Sequence, residues 1–562
     1  MSMQFVIIIV SAVQRCVDAG FNAMARTPPM GWRTWNQLGC LVSQVDVEAA
    51  MRGLVDTSRA VWNHSKPTSL HDLGYTDVGL DDCWQELLEP SCHYPNTPLP
   101  AVRACTDPNT TFPRNLDGVQ CEGLAGPLPG VASSDSCARA CCSDAACEVW
   151  QYCASGLCGG SAAPAESCYT GKLMSCHATA DWISRGIAEP PHHFHDSNGR
   201  PVVNTTRFPD FIAMTNLAHA LGLTAGWYGN NCFCHEETCG AECVQGDVDA
   251  LVDYGFDNVK YDGCGPEHNM TMWAAMYAGT IKGLNMTIEN CNNDNHLIPK
   301  RGDDLTKVPF HFYRSSTDIR PTYGSVVANW QTVVHPGDRA TGPSVWAYPD
   351  MLEVGVTTQI LTGQKVPSSP REHLGETVIL QPGSPAYEAL AHAAPLPPVL
   401  SVVESRAHFS MWCISSSPLT LALDFRDSET VDSVWDIIAN PEAIAINQAW
   451  AGDSGGVLHE SNETVTLLHC NWIWAGDSNC TVPVEQQVYK PLPNGAVAVL
   501  VANHGSVPLI TGIDIRNISG LSCAPGPCHV REVNAHQTIG PFTNVVPVVN
   551  LQPHDVAFAL IW

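Results

Sequence analysis

Apolar residues recur along this chain in two alternating rhythms. Short runs at 223–228 (L-T-A-G-W-Y), 256–261 (F-D-N-V-K-Y) and 286–290 (M-T-I-E-N) are rich in strand-forming residues and end in polar or charged ones. Between such runs lie helical stretches. One has apolar positions at Val45, Ala49, Val55 and Ala60; others cover 211–221, 246–254 and 273–284. This alternation predicts a (β/α)8 TIM barrel of class α/β, with strands near Met30, Val78, Ala225, Val259, Ile288, Phe312, Val345 and Leu419. In that architecture the carboxyl ends of the strands carry the chemistry, so acids placed there are candidate site residues.

The rhythm breaks in three places. Residues 85–195 are rich in Pro, Ser, Gly and Ala and hold eleven cysteines, a density that predicts a small core stapled by disulfides. Residues 354–401, rich in Pro and Ser, read as an insertion after the seventh strand. Beyond 452 the pattern changes to short alternating runs at 464–468, 496–503, 545–551 and 555–562, which predict a C-terminal antiparallel β-sandwich with Cys523 and Cys528 clipping a turn. The expected organisation is a signal peptide over 1–25, a barrel over 26–84 and 196–452, a Cys-rich insertion over 85–195 and a sandwich over 453–562.

Composition narrows the partners. At 562 residues the chain is too long for one ordinary core. Its 28 basic residues face 56 acidic ones, a net charge of −28, which argues against nucleic acid and anionic surfaces. The apolar run at 5–13 is too short to span a bilayer, and Ala23-Met24-Ala25 follows it as a small-residue cleavage pattern. No later stretch is long and apolar enough for a membrane span. Of the 25 cysteines, Cys16 would leave with the signal, and the remaining 24 make an even set for disulfides. Eight Asn-X-Ser/Thr sequons fit the same secretory route, to secretion or to a lysosome or vacuole. The cysteines at 232, 234, 239 and 243 lack the usual zinc spacing and read as loop disulfides. No metal or cofactor is expected. Arg301-Gly302-Asp303 reads as a chance triplet, and His192, His193 and His195 as structural.

Candidate chemistry centres on residues 254–264, Y-G-F-D-N-V-K-Y-D-G-C. Two residues apart on a strand, Lys260 and Asp262 share a face. A cation beside a carboxylate favours its ionised form, which a covalent sugar-cleaving mechanism needs in its nucleophile. A structural ion pair would look the same in sequence. Asp81 and Asp82, side by side at the end of another strand, are suited to grip sugar hydroxyls. Trp32, Trp35, Tyr228 and Trp346 supply aromatic faces of the kind that stack on a pyranose.

The motifs P-P-M-G-W-R-T-W-N, L-D-D-C-W, V-K-Y-D-G-C, R-S-S-T-D-I, Y-P-D-M-L, S-P-L-T-L-A-L-D-F-R and I-A-I-N-Q-A-W-A-G stand in the order found in glycoside hydrolase family 27, which this chain resembles over 26–455 outside the insertions. The resemblance implies a retaining α-galactosidase or α-N-acetylgalactosaminidase. It implies Asp262 as nucleophile and Asp318 as acid/base, their carboxyls roughly 5–5.5 Å apart. It also implies Trp35, Asp81, Asp82, Tyr228, Lys260, Arg314, Asp350 and Met351 as sugar contacts, one disulfide between Cys40 and Cys83, and another from Cys264 to the 232–239 loop. Where the animal α-galactosidases carry C-E-W, this chain has N-C-N-N-D, with Asn292 at the Glu position and His296 near the next contact. The side of the pocket that reads the C2 substituent therefore departs from the family. Asn292 or Asp294 as acceptor of a hydroxyl favours galactose over its N-acetylated relative. A β-L-arabinopyranosidase and a non-catalytic carbohydrate-binding protein are the alternatives. The cysteine-rich piece C-A-R-A-C-C-S-D-A-A-C-E-V-W-Q-Y-C…C-Y-T-G resembles a PAN/apple module, over about 117–180, which implies a protein or glycan ligand. The expected substrate is a galactose-containing oligosaccharide or glycoconjugate, and a homodimer is left open.

Overall fold

The computed structural model describes residues 25–85, 107–112, 114–121, 124–144, 147, 149–156, 158, 163–171, 176–178, 182–186, 195–196, 199–229, 241–262, 286–291, 298–357, 399–473 and 476–562. The signal peptide, the helix expected at 273–284, Cys264, Asn292, Asp294, His296, His192, His193, the cysteines at 232, 234 and 239, and most of the 354–401 insertion lie outside the described residues. The chain divides into two compact units. One comprises Met1–Glu86, Val203–His235 and Val244–Trp562; the other comprises Leu87–Val202 and Glu236–Cys243.

All eight expected strands form, and they lie parallel in one sheet: β1 (Met30–Arg33), β2 (Asp77–Gly79), β3 (Thr224–Gly229), β4 (Asn258–Asp262), β5 (Thr287–Cys291), β6 (Phe312–Arg314), β7 (Trp346–Tyr348) and β8 (Leu419–Leu421). From β1 to β7 each strand pairs with the next, and β1 pairs with β8. Leu352, just past β7, closes the ring by donating its N–H to the Thr420 carbonyl at 2.8 Å and bridging to Leu421. The result is a TIM barrel.

Helix α1 (Gln44–Val55) begins with a capping box in which Asp46 accepts the Ser43 N–H at 2.7 Å. Its buried apolar stripe is Val47, Ala50, Met51 and Leu54, whereas Val45 is 69% exposed. The stripe expected from sequence (Val45, Ala49, Val55, Ala60) was therefore a false one: both sets have near-helical spacing, but the helix stops at Val55, and Ala60 lies outside it. Helices α2 (Phe211–Ala220), α3 (Ala241–Tyr254), α4 (Tyr323–Val334), α5 (Val402–Ile414), α6 (Ser428–Ile438) and α7 (Pro441–Gln448) complete the described helical layer.

The C-terminal part is an antiparallel sheet of six strands ordered Gly456–Glu460, Glu485–Pro491, Val497–Asn503, Val556–Ile561, Cys528–Glu532 and Gln537–Phe542. A two-stranded ribbon of Leu509–Asp514 and Val545–Leu551 packs on it. Every residue of Val497–Asn503 is buried. Val497, Val499 and Val501 join the sandwich core with Ile513, Val546 and Ile561. Ala498, Leu500 and Ala502 face the other way, into the core shared with the barrel helices. The period-two alternation of a strand thus serves two cores at once.

The second unit contains a four-stranded antiparallel sheet, in the order Arg114–Asn115, Trp182–Gly186, Val149–Cys153 and Ser167–Gly171, with helix Ser134–Cys142 against it. Disulfides Cys137–Cys168, Cys141–Cys147 and Cys153–Cys158 staple it. Cys470–Cys480 and Cys523–Cys528 lie in the C-terminal part. The expectation that all 24 later cysteines pair is overturned, because Cys291 and Cys413 are free thiols. Each is buried inside the barrel unit, one at the end of β5 and one in α5, where burial protects a thiol that lacks a disulfide partner. Among the described residues no helix is long and apolar enough to cross a membrane.

Candidate active site

Alternation along the strands turns Asn258, Lys260 and Asp262 of β4 to the barrel interior, beside Glu289 and Cys291 of β5; the sheet register pairs Lys260 with Glu289 and Asp262 with Cys291. At the carboxyl end of β2 the chain turns through Asp81 and Asp82. Asp81 donates its N–H to Thr34 Oγ1 at 2.9 Å, and Asp82 donates its own to Asp81 Oδ1 at 3.0 Å. Lys260 Nζ donates to Asp81 Oδ2 at 2.6 Å and lies 5.3 Å from the Tyr228 ring centre. Tyr228, on β3, donates its hydroxyl to Asp262 Oδ2 at 2.7 Å. Four of the expected residues thus form a continuous arc from Asp81 through Lys260 and Tyr228 to Asp262.

A second arc runs through Arg314 at the end of β6. Its Nη2 lies 2.8 Å from Asp318 Oδ1 and 2.9 Å from Asp350 Oδ2, and its Nη1 lies 3.3 Å from the Cys291 sulfur. Asp350 adopts φ +84°, in the left-handed region. It is held there by the N–H of Ile319 at 2.8 Å on one oxygen and by its neighbour Met351 at 2.8 Å on the other. Cys83, next to Asp82, also has positive φ, at +74°. Non-glycine residues in this region cost on the order of 1 kcal/mol and gather at functional sites. Trp35, Met351, Phe312, Trp346 and Tyr348 form one apolar cluster beside these acids.

Charge in this space is far from balanced, and proton affinities respond. Burial pushes the Asp82 carboxyl up to about 7, with Asp81 and Asp262 adding to the effect and the Cys83 N–H opposing it. Burial likewise raises Asp350, against the pull of Arg314. For Asp318, desolvation works upward too, but the charge and hydrogen bond of Arg314 overcome it and hold the carboxyl below its ordinary value. Its side chain is 65% exposed, so solvent screens this pair. Burial alone would discharge Lys260, yet Asp81 and its acidic neighbours hold the ammonium protonated.

Lys260 was expected beside Asp262. Its ion pair is with Asp81, 179 residues away in the chain, because the strand ends of a barrel converge. Cys83 is disulfide-bonded; the side chain of Cys40 lies outside the described residues, as do Cys264 and Asn292. Among the described residues no group of His, Cys, Asp and Glu is arranged to hold a metal ion.

Sequence reasoning missed a layer beneath the site. Arg33 of β1, 3% exposed, occupies the barrel interior. It donates to the Leu80 carbonyl at 3.3 Å and to Asn258 Oδ1 at 3.1 Å, and lies 3.4 Å from both Asp77 Oδ2 and Glu289 Oε2. The signal was present: Arg33, Asp77, Asn258 and Glu289 are polar residues inside short strands, on the face that alternation turns inward.

A barrel with carboxylates, a lysine and an arginine gathered at the carboxyl ends of its strands, beside an aromatic wall, is chemically suited to hold a sugar. Comparison with known proteins agrees. A family model described as alpha galactosidase A (Melibiase_2) matches residues 191–365. The α-galactosidase of Cyamopsis tetragonoloba is 21% identical over 498 residues, covering 86% of this chain and 74% of that protein. The α-N-acetylgalactosaminidase of Homo sapiens is 25% identical over 288 residues, 48% of this chain and 59% of that protein. Among solved structures, α-galactosidase I of Mortierella vinacea superposes with a TM-score of 0.52 at 17% identity, covering 96% of this chain and 98% of that one. A family 27 β-L-arabinopyranosidase of Geobacillus stearothermophilus gives 0.56 at 13% identity, covering 97% and 99%. The structures share the fold. The family match and the sequence relatives support glycoside hydrolase family 27.

Proposed function

We propose that the protein is a retaining exo-glycosidase that releases terminal α-D-galactosyl residues from oligosaccharides or glycoconjugates by double displacement. The observation that carries this reading is the pair of arcs. Asp262 sits at one strand end, oriented by the Tyr228 hydroxyl. Asp318 sits at the other, in the grip of Arg314. Asp262 attacks the anomeric carbon while Asp318 gives its proton to the leaving oxygen; water deprotonated by Asp318 then releases the sugar with net retention. Asp81, Asp82 and Lys260 hold the sugar hydroxyls, and Trp35, Asp350 and Met351 shape the wall. Arg314 keeps Asp318 ionised. A sugar hydroxyl that engages Arg314 loosens this pair and lets Asp318 take up the proton it must deliver.

The relatives named above differ in activity: α-galactosidase, α-N-acetylgalactosaminidase and β-L-arabinopyranosidase. We assign galactose over its N-acetylated relative on Asn292 or Asp294 as acceptor of the C2 hydroxyl, while Asp81 and Asp82 suit galactose and β-L-arabinopyranose alike. We further assign the protein to the secretory pathway, and the disulfide-stapled unit to binding a protein or glycan through its apple-like module. Hydrolysis of p-nitrophenyl α-galactoside, α-N-acetylgalactosaminide and β-L-arabinopyranoside separates the three specificities. The α-galactoside should be cleaved fastest, and Asp262→Asn should abolish that cleavage. A wild type inert toward all three would end the reading.

A further inference from the structure

The buried Arg33 layer does more than fill the barrel. A guanidinium in a barrel interior costs several kcal/mol of desolvation unless its donors are met, and here Arg33 reaches from β1 to β2, β4 and β5. The chain clears space for it. A Cβ on Gly79 would fall 1.8 Å from Arg33 Nη1, and one on Gly226 would fall 2.7 Å from it. Neither glycine has a left-handed φ, so what Gly79 requires is room for the arginine, and Gly226 leaves room for Asn258 Oδ1, the arginine and the Gly79 backbone together.

The contacts of Arg33 lie one step below the sugar-binding arc. Leu80, whose carbonyl it holds, immediately precedes Asp81. Asn258 lies two residues before Lys260, on the same face of β4, and is bound in turn to Asp77 Oδ1 at 2.5 Å. Glu289 is the register partner of Lys260 on β5. One rigid fork therefore ties together the two segments that carry the Lys260–Asp81 pair, through the Leu80 carbonyl on one and the Asn258 side chain on the other. Lysine could not do this, because an ammonium lacks the planar spread of donors.

We propose that Arg33 is a positioning residue that sets the Lys260–Asp81 pair for the hydroxyl groups of the terminal sugar, with Asp77, Asn258 and Glu289 as its frame. The inference rests on the glycosidase reading above. It assigns Arg33 to affinity for the sugar rather than to bond breaking, since the fork reaches neither Asp262 nor Asp318.

Arg33→Met alone strands the buried Glu289 and the half-buried Asp77, and its failure to fold would say little. The informative variant is the triple Arg33→Met/Asp77→Asn/Glu289→Gln, in which the whole layer is neutral and close to its original volume, a kind of replacement that buried ion networks tolerate. Thermal unfolding establishes that it folds, and hydrolysis of p-nitrophenyl α-galactoside gives its kinetics. We expect KM raised about tenfold or more with kcat within about threefold, the mark of lost uniform binding. Arg33→Lys in the otherwise unchanged chain keeps the charge without the fork and should raise KM likewise. A folded triple variant with wild-type KM would show that Arg33 merely balances charge and would overturn the inference. A triple variant that does not fold would overturn it as well, since the layer would then be structural. An inactive wild type would overturn the glycosidase reading and this inference with it.

Discussion

Glu289 offers a test of which force dominates the barrel floor. Its side chain is 2% exposed, Oε2 is 3.4 Å from Arg33 Nε, and that oxygen accepts no hydrogen bond. Burial pushes its carboxyl from an ordinary 4.5 up to about 7, although Arg33 and Lys260 both pull the other way. Desolvation therefore outweighs attraction. At 1.36 kcal/mol per tenfold change in proton affinity, this corresponds to roughly 3 kcal/mol. The sign follows from linkage. Between about 4.5 and 7 the native state holds a proton that the unfolded chain has released, so this group erodes stability as pH rises through that window. Glu289→Gln keeps the shape and cannot ionise. Its stability should match the wild type near pH 4 and exceed it by up to about 3 kcal/mol above pH 8. Guanidinium unfolding of both proteins at several pH values, compared at equal slope, measures the difference and cancels every other titrating group. If the variant instead loses ground as pH rises, the attraction of Arg33 and Lys260 outweighs burial, and the reasoning is refuted.

Three further outcomes follow from the site. Asp82, raised to about 7 chiefly by burial, should impose an ionisation near neutrality on the pH profile of kcat/KM; Asp82→Asn should remove that bend, and an identical bend in the variant would assign it elsewhere. Lys260→Met leaves Asp81, 2% exposed, without its counter-charge, and should cost about 3–5 kcal/mol, seen as a lower Tm; an unchanged Tm would mean Asp81 finds another partner. Because Cys291 and Cys413 are free and buried, unfolding without reductant should expose at least two more thiols to a disulfide reagent than the native protein shows, and equal counts would indicate that they are oxidised.

The strands of the barrel were legible because each is a short apolar run that stops at a polar residue, and this pattern survives insertions of any length between strands. Asp262 and the Asp81-Asp82 pair drew notice for the same reason, since they sit where strands end, whereas Asp318, four residues past its strand, came only from the motif resemblance. What spacing could not reveal was partnership across the ring. Lys260 and Asp81 come from segments that share no local pattern, and only closure of the barrel brings them to 2.6 Å. The Arg33 layer was hidden by a reasonable prior, that barrel interiors are apolar, even though alternation marked its members as inward-facing. Helix α1 shows a different failure. Two apolar stripes compete there, and nothing local to 44–55 says which of them meets the sheet. Cysteine parity misled because an even count is equally compatible with two thiols left unpaired.

The doubly buried strand Val497–Asn503 bears on how this chain could be shortened. A catalytic barrel is commonly cut free of its C-terminal module at a change in sequence rhythm, here near 452. Such a cut would strip Ala498, Leu500, Ala502, Val556 and Phe558 from the core they share with the barrel, leaving a greasy face on the remaining helices. Lys490, which donates to Ser416 Oγ at 2.6 Å and to the Asn447 carbonyl at 3.2 Å, would leave with them. A gene truncated there should yield inclusion bodies rather than a minimal enzyme. In biosynthesis, the barrel's core stays unfinished until Val556 and Phe558 have emerged.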